Sequence, residues 1–419
     1  LFSWIWGWTA LFAGDLTFYT TLDGLPSDTV TSIAIDPFGC KWAGTIRGLS
    51  RFDGTHWEHL STVGNFPIFD LAIETGFFPR LWIGTDAGIF VLSISRQAWQ
   101  LEALYTKETH PLVSNRIFAV TIDSGHTKWF GTDKGISFLS ATRWDSVPQK
   151  HLSSSWILSF GYDQNTGWNY IGTKGGGVSR VRMDSLDGIT SASPYDYTWA
   201  SLPSDTVYAI QIDRDGNQWF GTDQGLAYHQ GTNTKLNWFF FNRDSGMSND
   251  FVQTILRDKQ DLLWVGTKKG VSFYNGFRWQ NWDFEYGVNA IAMDLDGSLW
   301  FATDRGIIHY QKENAIHWEQ NREGFPCFLY PAFPNPFNPQ TEIWIVLSRT
   351  AKIRGEVFDL SGRKIRTLVE AEFSPGTHPV IWDGKDDTGL ESPSGLYVAV
   401  FILDGQIHQK YTQKWVRFK

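Results

Sequence analysis

The chain has 419 residues, with 36 Lys and Arg against 44 Asp and Glu for a formal net charge of −8. That balance, without any long Lys/Arg run, lacks the basic footprint a nucleic-acid binder needs to neutralise phosphates. Two cysteines exclude a disulfide framework and a Cys-based zinc site, and no apolar run reaches the roughly 18 to 20 residues that span a bilayer.

Forty glycines and 16% aromatic residues read as short strands and tight turns rather than helices. Residues 1–14, LFSWIWGWTALFAG, carry no charge. Their length suits the apolar core of a secretory signal with a cleavage point near Ala13, although no basic segment precedes it. The segment reads as a signal-peptide remnant; the other reading is a buried apolar strand.

One heptapeptide then recurs through residues 15–325. It is WAGTIRG at Trp42, WIGTDAG at Trp82, WFGTDKG at Trp129, YIGTKGG at Tyr170, WFGTDQG at Trp219, WVGTKKG at Trp264 and WFATDRG at Trp300. The spacings of 40, 47, 41, 49, 45 and 36 residues fall near the roughly 40 to 45 residues of a propeller blade. An apolar strand ending at an acid, as in VTSIAID to Asp36 or IFAVTID to Asp123, precedes each copy. Two further strands follow it, as in GLSRFDGTHWEHL across the Asp53–Gly54 turn. Four strands per unit make one antiparallel sheet, and seven such sheets bury their faces by stacking radially. The recurrent Trp fills the wedge between sheets, and the Gly two residues later permits close approach. The expected fold is all-β, a seven-bladed β-propeller.

The whole unit, best seen in GLPSDTVTSIAIDPFGCKWAGTIRGLSRFDGTHWEHL from Gly24 to Leu60, resembles the two-component-regulator propeller repeat. Tyr170 for Trp and Ala302 for Gly are its mild departures. The resemblance implies a propeller of the kind found in bacterial sensor ectodomains and secreted surface proteins. Fold alone does not fix function. Two segments compete for the last outer strand, TFYTT at Thr17 and HWEQN at His317, and ring closure displaces one of them.

Residues 326–341 hold a run of prolines, PCFLYPAFPNPFNP, that reads as an extended spacer. Beyond it, residues 342–419 contain six alternating runs beginning near Glu342, Lys352, Arg363, His378, Leu396 and Lys410, which fit a small β-sandwich. YPAFPNPFNPQTEI, VFDLSGRKI from Val357, WDGKDDTG from Trp382, SGLY from Ser394 and the terminal KWVRFK resemble the C-terminal sorting domain of type IX secretion cargo. The variant is the one similar to the Ig-like domain of flagellar hook-capping proteins. That resemblance implies export across the outer membrane of a didermal bacterium through secretion machinery that engages residues 330–419. An ordinary Ig-like accessory module is the other reading.

Catalytic motifs are silent: there is no HExxH, Walker loop or GxSxG elbow. His56 and His59 stand close without a third ligand. The repeated Asp residues look like turn chemistry rather than a glycosidase pair. Turns at Asp213, Asp296 and Asp383 gather oxygens, but none supplies the six to eight ligands calcium needs, so no cofactor is expected and calcium is the weaker reading. Cys40 and Cys327 belong to the first blade and to the segment after the seventh, where a clasp is conceivable but two unlinked thiols are favoured.

In an up-and-down blade, the turn between strands two and three shares a face with the blade-to-blade connection. Those turns hold Ile46–Arg47, Asp86–Ala87, Asp133–Lys134, Lys174–Gly175, Asp223–Gln224, Lys268–Lys269 and Asp304–Arg305. They vary within a fixed frame, as functional loops do. The candidate ligand-binding rim is therefore Arg47, Asp86, Asp133, Lys134, Lys174, Asp223, Lys268, Lys269, Asp304 and Arg305; plain solvation of loop tips explains them equally well. A monomeric, non-enzymatic binding or adhesion protein for polysaccharide or a surface protein is expected. The alternatives are a polysaccharide-degrading enzyme at the channel mouth and a sensor-type ectodomain.

Overall fold

A computed structural model describes residues 14–96, 98–184, 188–194, 202–230, 238–259, 262–274, 279–312, 327–329, 337, 339–347, 350–374, 376–404 and 409–417. The chain divides into two units, Leu1–Glu313 and Asn314–Lys419. The signal-peptide reading of residues 1–14 falls outside the described residues except for Gly14, which opens a strand.

The first unit is a ring of seven four-stranded antiparallel sheets. Blade 1 runs through Val30–Ile35, Lys41–Thr45, Gly48–Phe52 and Trp57–Leu60. Blades 2 to 6 repeat that order, their innermost strands beginning at Ile68, Ile117, Ile157, Val207 and Val252. Each innermost strand packs against the next, and Val288–Met293 of blade 7 packs against Val30–Ile35, so the ring is closed.

The competition for the last outer strand is settled by Gly14–Tyr19, which pairs antiparallel with Gly306–Lys312 from Gly14↔Lys312 to Tyr19↔Ile307. Tyr19 then stacks on Trp300 with ring centroids 5.7 Å apart. The rival segment at His317 lies outside the described residues.

The heptapeptide earns its repetition by packing. Trp42, Trp129 and Trp264 are fully buried, and each joins a cluster with residues of the following blade: Ile68 and Leu71 for Trp42, Ile157 and Ile171 for Trp129, Val288 and Ile291 for Trp264. Burying about 200 Å² of indole is worth about 5 kcal/mol before entropy. A Cβ on Gly44 would come within 2.6 Å of Ile68 Cγ2, and one on Gly131 within 2.6 Å of Ile157 Cγ2. The Thr after the Gly closes the turn. Thr45 Oγ1 donates to the Gly48 carbonyl at 2.9 Å and accepts the Arg47 N–H at 3.1 Å. The same pair of bonds recurs at Thr132 and Thr303.

Acids that end the innermost strands bond the wedge indoles: Trp42 Nε1 donates to Asp36, Trp82 to Glu74, Trp129 to Asp123 and Trp264 to Asp258, all at 2.9 to 3.0 Å. The other oxygens of the three aspartates accept turn N–H groups, as Asp36 does from Phe38 and Cys40, and that of Glu74 pairs with Lys128. The repeated acids are thus part of the frame. Asp213 shows the same occupation, accepting from Asp215 and Asn217 and pairing with Arg257 of the next blade at 2.8 Å. Cys40 is a buried free thiol beside the Arg51 guanidinium. Among the described residues no helix is long and apolar enough to cross a membrane.

The second unit is a two-sheet β-sandwich. One sheet orders Cys327–Leu329, Thr341–Leu347 and Gly376–Trp382; the other orders Lys364–Phe373, Ala351–Asp359, Gly395–Asp404 and Gln409–Arg417. All six runs expected after Glu342 are strands. The proline-rich stretch 326–341 does more than space: Cys327–Leu329 adds an edge strand, where one unpaired side tolerates neighbouring prolines, and Phe337 is buried in the core. Trp382, Trp415, Tyr397 and Phe401 centre that core. The motif residues are its frame: Trp382 Nε1 donates to the Lys385 carbonyl, the Asp386 carboxylate accepts from Thr388 and Leu390, and the Tyr397 hydroxyl donates to the Pro393 carbonyl. Arg417, only 2% exposed, pairs with Glu391.

Candidate functional site

A cavity of about 560 Å³ occupies the centre of the ring and opens toward the turns between strands two and three. Its wall is built by one recurring device. In each blade the register shifts at the start of the innermost strand, as between Ile68 and Asp70 or Ile117 and Ala119. The shift marks a bulge, which re-aims a side chain. The bulged position holds Thr31, Phe69, Phe118, Leu158, Tyr208, Gln253 and Asn289 in blade order, and all seven line the cavity. Unlike the heptapeptide, this column does not repeat.

The cavity therefore has two sides. Blades 2 to 5 present an aromatic arc, with Phe69 and Phe118 at 5.0 Å, Phe118 stacked on Trp156 at 5.7 Å, and Tyr208 against Phe251 at 4.7 Å. Burial pushes the Tyr208 phenol up, and Asp223 adds to the shift. Blades 6, 7 and 1 present a polar arc. Asn289 Nδ2 donates to Asp304 Oδ1 at 2.9 Å and to the Val30 carbonyl at 2.8 Å, and Gln253 donates to Asn289 Oδ1. Thr31 Oγ1 donates to the Gly44 and Ile68 carbonyls. These bonds also stitch blade to blade, so part of the polar arc serves the ring itself.

Asp70 is the acid that stands outside the repeat. At its position the other blades carry Ser32, Ala119, Ser159, Ala209, Thr254 and Ala290. Burial pushes its carboxyl up to about 6, although Oδ2 accepts the Val120 N–H and Oδ1 the Leu71 N–H, both at 2.8 Å. Oδ2 thereby ties blade 2 to blade 3, while Oδ1 is engaged within blade 2.

The expected rim residues all sit on turns at the cavity's open end, but they divide by sign. Arg47, Lys134, Lys174, Lys268, Lys269 and Arg305 are exposed, as is Asp86. Asp133, Asp223 and Asp304 are half-buried; Asp133 accepts the Ser114 hydroxyl at 2.6 Å, and Asp304 accepts the Gly287 N–H at 3.0 Å and Asn289. The mixed-charge rim read from the sequence is thus resolved in space, with most cations outward and three of four acids against the wall. Lys268 and Asp304 reach the cavity lining itself.

Sequence reasoning missed three groups. Arg116 lies on the lead-in to blade 3 rather than on a heptapeptide turn, and stands 5.2 Å over Phe118. The aromatic arc was hidden because repeated Trp accounted for the aromatic content. Asp70 was visible only in a column-by-column comparison of the seven innermost strands.

The profile of the family described as two component regulator propeller matches residues 201–224 and 246–269, so these segments are repeats of that type. No curated protein matches the sequence. Among solved structures, the chain resembles the extracellular domain assigned to the hybrid two component system BT3049 from B. thetaiotaomicron, with a TM-score of 0.59 and 16% identity over 96% of this chain and 57% of that one. It resembles PorZ, a surface component of the type-IX secretion system of Porphyromonas gingivalis, with a TM-score of 0.52 and 16% identity over 96% and 61%. Streptogramin B lyase gives 0.53 at 14% identity over 72% and 98%. The chain spans about three fifths of the length of the BT3049 and PorZ chains. At these identities the likeness is one of fold, and the fold it shows is a β-propeller, as in two extracellular or surface proteins.

Proposed function

We propose that this chain is an exported surface protein of a didermal bacterium, whose propeller binds a polysaccharide at the channel mouth without turning it over. The C-terminal sandwich, in this reading, is an Ig-like sorting module that engages the secretion machinery. The observation that carries the binding role is the unrepeated bulge column, whose seven cavity-lining residues form one apolar, mostly aromatic arc and one polar arc. Aromatic faces beside amide and hydroxyl groups suit a hydroxylated ring, and about 560 Å³ lies within the range of small-molecule sites. Polysaccharide turnover is the lesser reading, because Asp70 has both oxygens bonded to backbone and Asp304, the other carboxylate of the lining, is held by Asn289 and the Gly287 N–H.

The export role is supported by the motif residues of the sandwich and by the fold shared with PorZ. A glycan-array screen of the full chain tests the binding role. Selective binding that disappears in Tyr208→Ala and Asn289→Ala supports it, whereas no binding across a broad array overturns it in favour of a protein ligand. Replacing residues 330–419 by an unrelated soluble domain in a host with type IX secretion tests export; secretion that persists overturns that role.

A further inference from the structure

Exposed cations ring the mouth of a chain that is acidic overall, with Asp86 exposed among them. Four basic side chains stand over aromatic rings there: Arg116 over Phe118 at 5.2 Å, Lys174 over Trp156 at 4.2 Å, Lys268 over Phe251 at 5.4 Å and Arg305 over Tyr286 at 5.6 Å. All four are exposed, and among the described residues none of them has a carboxylate partner. Asp304, the acid beside Arg305, is instead occupied by Asn289 and the Gly287 N–H.

An aromatic ring under a cation orients it without cancelling its charge, as a carboxylate would. The four stations are spread from blade 3 to blade 7 around the mouth. A ligand with one charge could use one of them, while a polymer with regularly spaced charges uses several at once. We propose that the ligand of the mouth is an acidic polysaccharide, its carboxylate or sulfate groups held by Arg116, Lys174, Lys268 and Arg305. This rests on the polysaccharide-binding reading above and names the ligand class for it. An extended acidic peptide suits the site less, because the register shift at the start of each innermost strand interrupts the edge it would pair with.

The test is calorimetric titration of the full chain with polygalacturonate, dextran sulfate, poly-glutamate and uncharged dextran, each at 50 and 300 mM salt. Binding of either acidic polymer but not dextran is expected, weakened at least tenfold by the higher salt because exposed charges are screened. The polygalacturonate and dextran sulfate arms separate a carboxylate from a sulfate ligand. The double variant Lys174→Gln/Lys268→Gln should weaken binding at least tenfold, and Arg214→Gln, an exposed cation on a turn between strands one and two, should leave it unchanged.

Equal loss in Arg214→Gln overturns the proposal, since the attraction would then be general. So does binding of poly-glutamate with neither acidic polysaccharide. Binding of neutral glycans alone overturns the acidic class but leaves the binding function standing, and no polysaccharide binding overturns both.

Discussion

Lys41 of the first blade and Asp294 of the last form an ion pair, Nζ to Oδ2 at 2.6 Å, across the seam where the ring meets itself. Both side chains are about nine-tenths buried, and the Lys41 ammonium lies 4.9 Å from the Trp300 ring. Lys128 and Glu74 repeat the arrangement between blades 3 and 2, also at 2.6 Å, with Lys128 over Trp82 at 5.6 Å.

Removing one partner of such a pair strands the other charge in a low-dielectric wall. Lys41→Met should therefore cost about 3 to 5 kcal/mol, whereas Lys41→Met with Asp294→Leu should cost much less. Chemical denaturation of the two variants measures the difference. Equal losses would mean that packing of the lysine stem, and not the stranded carboxylate, sets the cost.

The strand Gly14–Tyr19 covers the outer edge of blade 7. A chain beginning at Thr20 should unfold at lower temperature and self-associate, since Gly306–Lys312 would present an unpaired edge. Thermal unfolding and light scattering read both effects; an unchanged melting temperature would show that the ring closes without its first strand.

Gly131 stands where a Cβ would meet Ile157 Cγ2 at 2.6 Å. Gly131→Ala should destabilise by about 1 to 3 kcal/mol through overpacking. Blade 7 already carries Ala302 at this position, fully buried in the cluster with Val30 and Ile33, so Ala302→Gly should cost less. Denaturant midpoints of the two variants make the comparison.

Asp70 is held at about 6 in the fold, against an ordinary value of 3.8. Between those values the folded chain keeps a proton that the unfolded chain has lost, so this residue's contribution to stability falls as pH rises from about 4 to about 6. The total change is on the order of 2 to 3 kcal/mol, complete above the folded value. Asp70→Asn should remove that fall, so unfolding free energies measured from pH 3.5 to 7 should fall less steeply than those of the parent chain.

Much of this architecture was legible because repetition multiplies a weak signal. One WxGT turn is unremarkable, but seven in register identify blades, and Thr45, Trp42 and Gly44 each have a packing or hydrogen-bonding reason to recur. The same logic hid the site. A repeat reports what every blade needs, whereas Phe118, Tyr208, Asn289 and Asp70 differ because each faces the shared cavity from a different side. The division of the rim by sign was also invisible, since Asp133 and Lys134 are adjacent in sequence and only the turn geometry sends one inward and the other outward. Closure by Thr17 rather than His317 depended on a pairing between distant ends, which local pattern does not encode.

That pairing has a temporal consequence. Asp15 meets Gln311, so the first strand of the fold must wait for nearly the last of the ring before it has a partner. Loop-closure entropy grows only slowly with length, but the contact cannot begin until residues near 312 have been made. Until then the growing chain is an open arc of blades with one bare flank. This single strand thus delays locking of the ring until blade 7 has been made.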